Sequence, residues 1–169
     1  MSENPFSPEN LIPTWTQANE ILKGDTPGHP FRGNQYSFNH GASTLANQAK
    51  KVGAVTYQSG HTGTATEHGN IASGHREVAK AIEDGMRYGK IPVSRWDVAR
   101  KAVEAHQFAS NQHLNASGAH AKVAQLELKP ATGSKISQNR MTTAENDAST
   151  ASQNASAASD LAERLTQEI

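Results

Sequence analysis

Apolar positions change their spacing several times along the chain. Residues 1 to about 40 show little periodicity, with one interruption: in TWTQANEILKG, Trp15, Ala18, Ile21 and Leu22 make a stripe behind a Thr14/Gln17 capping-box pair, and Gly24 can close the end. This predicts a short amphipathic helix over about 15–23 within an extended arm. From Ser43 the spacing becomes helical. STLANQAKKV puts Leu45, Ala49 and Val52 on one face, GHTGT breaks the run, and a helix follows from about Thr64, with a Thr64/Glu67 capping box, to Tyr88. GKIPVS reads as a turn. Ser94 and Asp97 supply a weaker start for the longest helix, about 95–128, which Pro130 stops. Two long helices with a short connection predict an antiparallel hairpin, so residues 41–129 form a helical body. No stretch alternates with period two for long enough to predict a sheet.

Residues 130–140, PATGSKISQNR, read as a linker. Beyond them, over 141–169, lies the most regular pattern in the chain. With Met141 at heptad position a, the a series runs Met141, Ala148, Ala155, Ala162, Ile169 and the d series Ala144, Ala151, Ala158, Leu165. Four apolar repeats with polar b, c and f positions predict a coiled-coil-like helix, and alanine at both seam positions lets backbones approach closely. The competing reading is an Ala/Ser/Asn-rich low-complexity tail, disordered on its own.

The same interval governs the histidines. HQFASNQHLNASGAH carries His106, His113 and His120, each seven residues from the last, alternating with Ala102, Ala109, Ala116 and Val123. HTGTATEHGNIASGH repeats the interval with His61, His68 and His75, followed by Ile82, while Ile71 and Val78 take the d positions; the glycines at 60 and 63 put His61 at the edge of the helix. Residues seven apart on a helix are separated by about 10.5 Å, so neither set chelates an ion alone. A metal site would need histidines from both helices at one level, with carboxylates or more histidines to complete about four ligands. The packing interpretation is simpler: a flat ring that both donates and accepts fills the layer facing an alanine and bonds across the hairpin. No metal ligand is assigned. Histidines buried neutral would be protonated in acid, so helicity should fall between neutral pH and about pH 5. The fold expected is all-α: an extended N-terminal arm, an antiparallel hairpin with a His/Ala seam (His68, His75, His106, His113, His120), and a C-terminal Ala-rich helix.

Composition narrows the function. Hydrophobic residues are 35% of 169, below the usual share of about 45–50% that counts glycine. The core must be thin, and help from a partner or from further copies of the chain is expected. Sixteen basic and 16 acidic side chains cancel, without a Lys/Arg block, which argues against nucleic acid as a primary partner. There is no cysteine, so thiolate catalysis and disulfides are excluded. No apolar run approaches 18 residues and the start lacks a secretory pattern, so a chain without a membrane anchor is expected.

The arm carries five of the seven prolines (Pro5, Pro8, Pro13, Pro27, Pro30) and a dense word, GDTPGHPFRGNQYSF. His29 before Pro30 favours extended backbone, Phe31 and Tyr36 offer aromatic anchors, Gly33-Asn34 can turn, and Arg32 adds directional hydrogen bonding. This reads as a segment that docks on a partner, with Trp15, His29, Pro30, Phe31, Arg32, Asn34 and Tyr36 as contact candidates. The alternative is a stiff loop folded back on the chain's own helices. A phosphate loop is the weaker reading, because the segment lacks both the Lys-Ser/Thr pair and a preceding strand. GHPFRGNQY followed by Ala/His-rich helices resembles a class of small proteins of tailed bacteriophages and prophages, and similar words occur in phage head-morphogenesis proteins. The resemblance implies a phage context and an assembly role rather than a reaction.

The expected function is therefore a virion-associated structural or assembly protein (a minor capsid, decoration or connector accessory). It would dock on a phage capsid, portal or tail protein, oligomerise or pack through its Ala-rich helices, and reside in the virion and, during assembly, in the host cytoplasm. The alternative is a small regulatory or anti-host binding protein in the infected cell. A metal-dependent hydrolase would need Glu67, Glu77 or Glu104 to converge on the histidines; Glu67, next to His68, points about 100° away from it. No G-x-S-x-G elbow or paired-carboxylate motif occurs. No catalytic residue and no cofactor is assigned.

Overall fold

The computed structural model describes residues 35–54, 56–128 and 135–169. They form helices α1 (Gln35–Ala54), α2 (Thr56–Arg87), α3 (Trp96–Glu127) and α4 (Lys135–Gln167), with a 3-10 turn at Val93–Arg95 leading into α3. The fold is all-α, and the described residues contain no strand. Each helix exists because an apolar or small-residue stripe recurs at helical spacing: on α1, for example, Phe38, Ala42, Leu45, Ala49 and Val52 are all buried.

The most extensive interface is α2 with α3, followed by α3 with α4, then α1 with α4 and with α2. The helices therefore stand in a square, each packed on two neighbours, in the up-down-up-down order that short connections produce. Gln35 Nε2 donates to the Thr166 carbonyl at 2.7 Å, which places the start of α1 beside the end of α4.

The two ends of the bundle differ. One holds nearly all the large buried apolar side chains: Phe38, Leu45, Ile71, Val78, Ile82 and Ile91 are at most 4% exposed and form one cluster. Here Gly85 lets Phe38 and Ile91 approach its Cα, since a Cβ would sit 3.0 Å from both. Gly89 (φ 75°) terminates α2, and the Lys90 and Ile91 amides bond back to the Gly85 carbonyl at 2.8 and 2.9 Å. Arg95 closes the same end by donating to the main-chain oxygens of Glu168 (2.6 Å) and Ile169 (2.8 Å). Towards the other end the packing consists of alanine: Ala105 and Ala109 against Ala158 and Ala162, then Val123 against Ala144 and Ala148.

Element boundaries depart from the sequence reading at three places. Gln35–His40, assigned above to the arm, are the first turns of α1, because Phe38 heads its buried stripe. Helical structure around α2 starts before Thr64. The break falls on Gly60 alone (φ 68°, ψ 171°), and Thr64, expected to cap, lies inside the helix with its hydroxyl bonded back to the Gly60 carbonyl at 2.9 Å. Residues 135–140, read as linker, already belong to α4. The expected helix over 15–23, Trp15, His29, Pro30, Phe31, Arg32 and Asn34, and the stop at Pro130 lie outside the described residues.

Candidate functional site: a buried histidine ladder

The heptads on α2 and α3 meet in one antiparallel register. His61 faces His120, His68 faces His113, and His75 faces His106, each pair joined Nδ1 to Nδ1 at 2.9, 2.9 and 2.8 Å. The rings also stack diagonally, His68 on His120 and His75 on His113, with centroids 5.5 Å apart. Beside them Ser110 and Ser117 donate to the carbonyls of Ala72 and Ala65 at 2.9 and 2.7 Å. These bonds draw α3 against the small residues of α2.

The outward ring nitrogens are taken by α4. Ser152 Oγ lies 2.9 Å from His68 Nε2 and 2.7 Å from His120 Nε2. Ser159 Oγ lies 2.8 Å from His75 Nε2 and 2.7 Å from His113 Nε2. Thr166 Oγ1 meets His106 Nε2 at 2.7 Å and donates to the Ala162 carbonyl at 2.7 Å. Nine side chains thus form one unbroken chain of hydrogen bonds: His61, His120, Ser152, His68, His113, Ser159, His75, His106, Thr166. It crosses three helices, and beyond His75 the α2 heptad continues with Ile82 in the apolar cluster.

Five of the histidines, His68, His75, His106, His113 and His120, are at most 2% exposed. Burial, which disfavours the imidazolium, sets their proton affinity. It pushes His106 and His113 down to about 3 and His68 and His120 to about 4, with repulsion added by the facing ring for His113 and His120 and by the diagonal His120 for His68. His75 is held well below its ordinary 6.5, by burial first and then by His106 and His113. All five are neutral at physiological pH, so each carries one N–H and one lone pair, and each uses both.

The ladder opens at the His61 end, where α1 stops and Gly60 interrupts α2. A groove of about 560 Å³ there is lined by Lys50, Gly53, His61, His120, Glu145 and Ser152 among others. Another step of seven from His120 along α3 and back from Ser152 along α4 reaches Glu127 and Glu145, so carboxylates replace the ladder's rings and hydroxyls at its mouth. Glu127 Oε1 lies 3.6 Å from His61 Nε2.

The other residues singled out from sequence fall as follows. Ala144, Ala148, Ala155, Ala158 and Ala162 are buried and Ala151 and Leu165 half-buried, all packed within the chain, so the alanine seam is occupied by α3 and α1. Tyr36 is 45% exposed, on α1, and stacks on His40. Glu67 and Glu104 are exposed and take no part in the ladder. No cluster of three or more His, Asp or Glu with metal-holding geometry occurs among the described residues. Nor could an ion sit between paired rings whose nitrogens are 2.8–2.9 Å apart, since each zinc–nitrogen bond alone takes about 2.0 Å. The residues that sequence reasoning missed are Ser152, Ser159 and Thr166; their seven-residue spacing on the e positions of the alanine heptad was the available signal. No described helix is long and apolar enough to cross a membrane.

No protein-family model, no curated protein and no solved structure matches this chain.

Proposed function

We propose that the chain is a non-enzymatic structural or assembly protein of a tailed phage, docking on a capsid, portal or tail component through its N-terminal segment while the four-helix bundle serves as the rigid body. One observation carries the non-catalytic part. Every buried ladder nitrogen is already bonded to another ladder member, so these groups hold helices in register and none is left aimed at a substrate. A catalytic base needs a reacting group within reach instead of a saturated partner. The phage context rests on GHPFRGNQY, and Tyr36, the one contact candidate among the described residues, is exposed at the start of α1 where the N-terminal segment joins the bundle. The alanine seam is used inside the chain, so copies of the protein would associate through other surfaces.

The test is mass spectrometry of purified particles from infected cells, with wild-type chain and with Phe31→Ala/Tyr36→Ala. Stoichiometric wild-type protein in particles, lost in the double variant with helicity intact, is the expected result. Wild-type protein found only in the particle-free cytoplasm would overturn the reading and favour a regulatory binding protein.

A further inference from the structure

Each link of the ladder is one hydrogen shared between two heavy atoms, and the count closes. Nine side chains bring one hydrogen each, a ring N–H or a hydroxyl, and nine links need one: the eight from His61 to Thr166, and the bond from Thr166 Oγ1 to the Ala162 carbonyl. A carbonyl oxygen only accepts, so this last link has a fixed sense and Thr166 gives its hydrogen to its own helix. Its oxygen then bonds His106 by accepting, which puts a hydrogen on His106 Nε2 and leaves Nδ1 bare. His75 must donate to that Nδ1 from its own Nδ1, and its bare Nε2 must accept from Ser159. The same step repeats through His113, His68, Ser152 and His120 to His61, which donates to His120 from Nδ1. One misplaced hydrogen would set two donors or two lone pairs face to face at 2.7–2.9 Å among buried side chains.

We infer that the ladder holds a single proton order, with every hydrogen bond donated in the direction from His61 towards Ala162, and that Thr166 sets it. His68 and His75 on α2 then carry their hydrogen on Nδ1, and His106, His113 and His120 on α3 carry theirs on Nε2. Nothing in the other members imposes a direction: the rings are chemically alike, and Ser152 and Ser159 each lie between two Nε2 atoms and can donate to either. Thr166 differs because its second partner is a main-chain carbonyl instead of a ring. The order is independent of the charge on His61, whose Nε2 takes no part in the nine links. Bonds that all point one way polarise one another in the same sense. Thr166 is therefore a positioning residue: it fixes the tautomer of His120, 14 residues and about 21 Å up α3 from His106, without touching it.

The experiment is nitrogen-15 NMR of the five buried imidazoles in the full chain at pH 8, in wild type, Thr166→Ser and Thr166→Val. In wild type His68 and His75 should be Nδ1–H and His106, His113 and His120 Nε2–H; any one of the five with its hydrogen on the other nitrogen overturns the proposal. Thr166→Ser keeps a hydroxyl that can donate to the Ala162 carbonyl and should keep all five assignments; a changed pattern there also overturns it. Thr166→Val removes the link of fixed sense and opens both directions, so the opposite tautomers should appear in all five rings together. No change, or a change confined to His106, would refute control from Thr166. The wild-type and serine spectra decide the order even where the valine chain does not fold.

Discussion

Ser159 gives the sharpest test of what holds the bundle together. Its hydroxyl is fully buried and engages His75 Nε2 at 2.8 Å and His113 Nε2 at 2.7 Å. Ser159→Ala deletes both bonds and leaves a lone pair and an N–H facing a methyl group in a dry layer. A buried unsatisfied group costs about 1–3 kcal/mol, so the pair amounts to roughly 2–6 kcal/mol. Alanine is the better helix former by about 0.5 kcal/mol, which leaves a net loss of roughly 2–5 kcal/mol. Ser152→Ala removes the equivalent hydroxyl one heptad nearer the mouth, where Ser152 is 9% exposed and lines the groove. Water can replace its bonds there, so the loss should be smaller, about 1 kcal/mol. Denaturant unfolding followed by far-ultraviolet circular dichroism at pH 7.5 measures both. A Ser159→Ala variant within 0.5 kcal/mol of wild type, or one no worse than Ser152→Ala, would refute the view that these hydroxyls satisfy the core.

Acid should unfold the bundle. His68, His106 and His113 have folded affinities depressed by burial, so their stabilisation is complete above the unfolded value of 6.5 and is lost as pH falls from there towards about 3–4; His75, held well below 6.5, acts in the same direction. At pH 5 the first three each contribute a loss of about 2 kcal/mol, together about 6 kcal/mol, within the range of the total stability of an ordinary domain; helicity retained unchanged to pH 4 would contradict the neutral ladder. Gly60→Ala forces a side chain into φ 68°, ψ 171°, which should cost about 1–3 kcal/mol in denaturant unfolding. Lys50→Ala removes an exposed ion pair with Asp160 and should change stability by less than about 1 kcal/mol.

The helical elements were legible because their signals are local. The stripe of Leu45, Ala49 and Val52 and the alternation of His106, His113 and His120 with alanine lie in short windows, and the buried residues observed are the ones those windows contain. At Gln35–His40, composition that discourages helix is overridden by the burial of Ser37 and Phe38 in the bundle, which a window cannot include. Around Gly60 a single residue breaks the helix where the glycines at 60 and 63 suggested a longer interruption, and at Lys135–Arg140 the helix runs on into mostly exposed turns.

The site was half legible for the same reason. By itself the sequence determined that two helices each carry histidines at a spacing that presents one face, and that such rings would be buried against alanine. Which ring faces which depends on the register of α2 against α3, set by the 88–95 turn and the Phe38–Ile82–Ile91 cluster rather than by any local word. That the third partner is a row of hydroxyls was decided only by tertiary structure. Ser152, Ser159 and Thr166 sit among many other small polar residues of α4, and they differ from the exposed ones solely in pointing at α2 and α3. A single helix carries the period of a hydrogen-bond network but not its connectivity, because each link belongs to two helices at once.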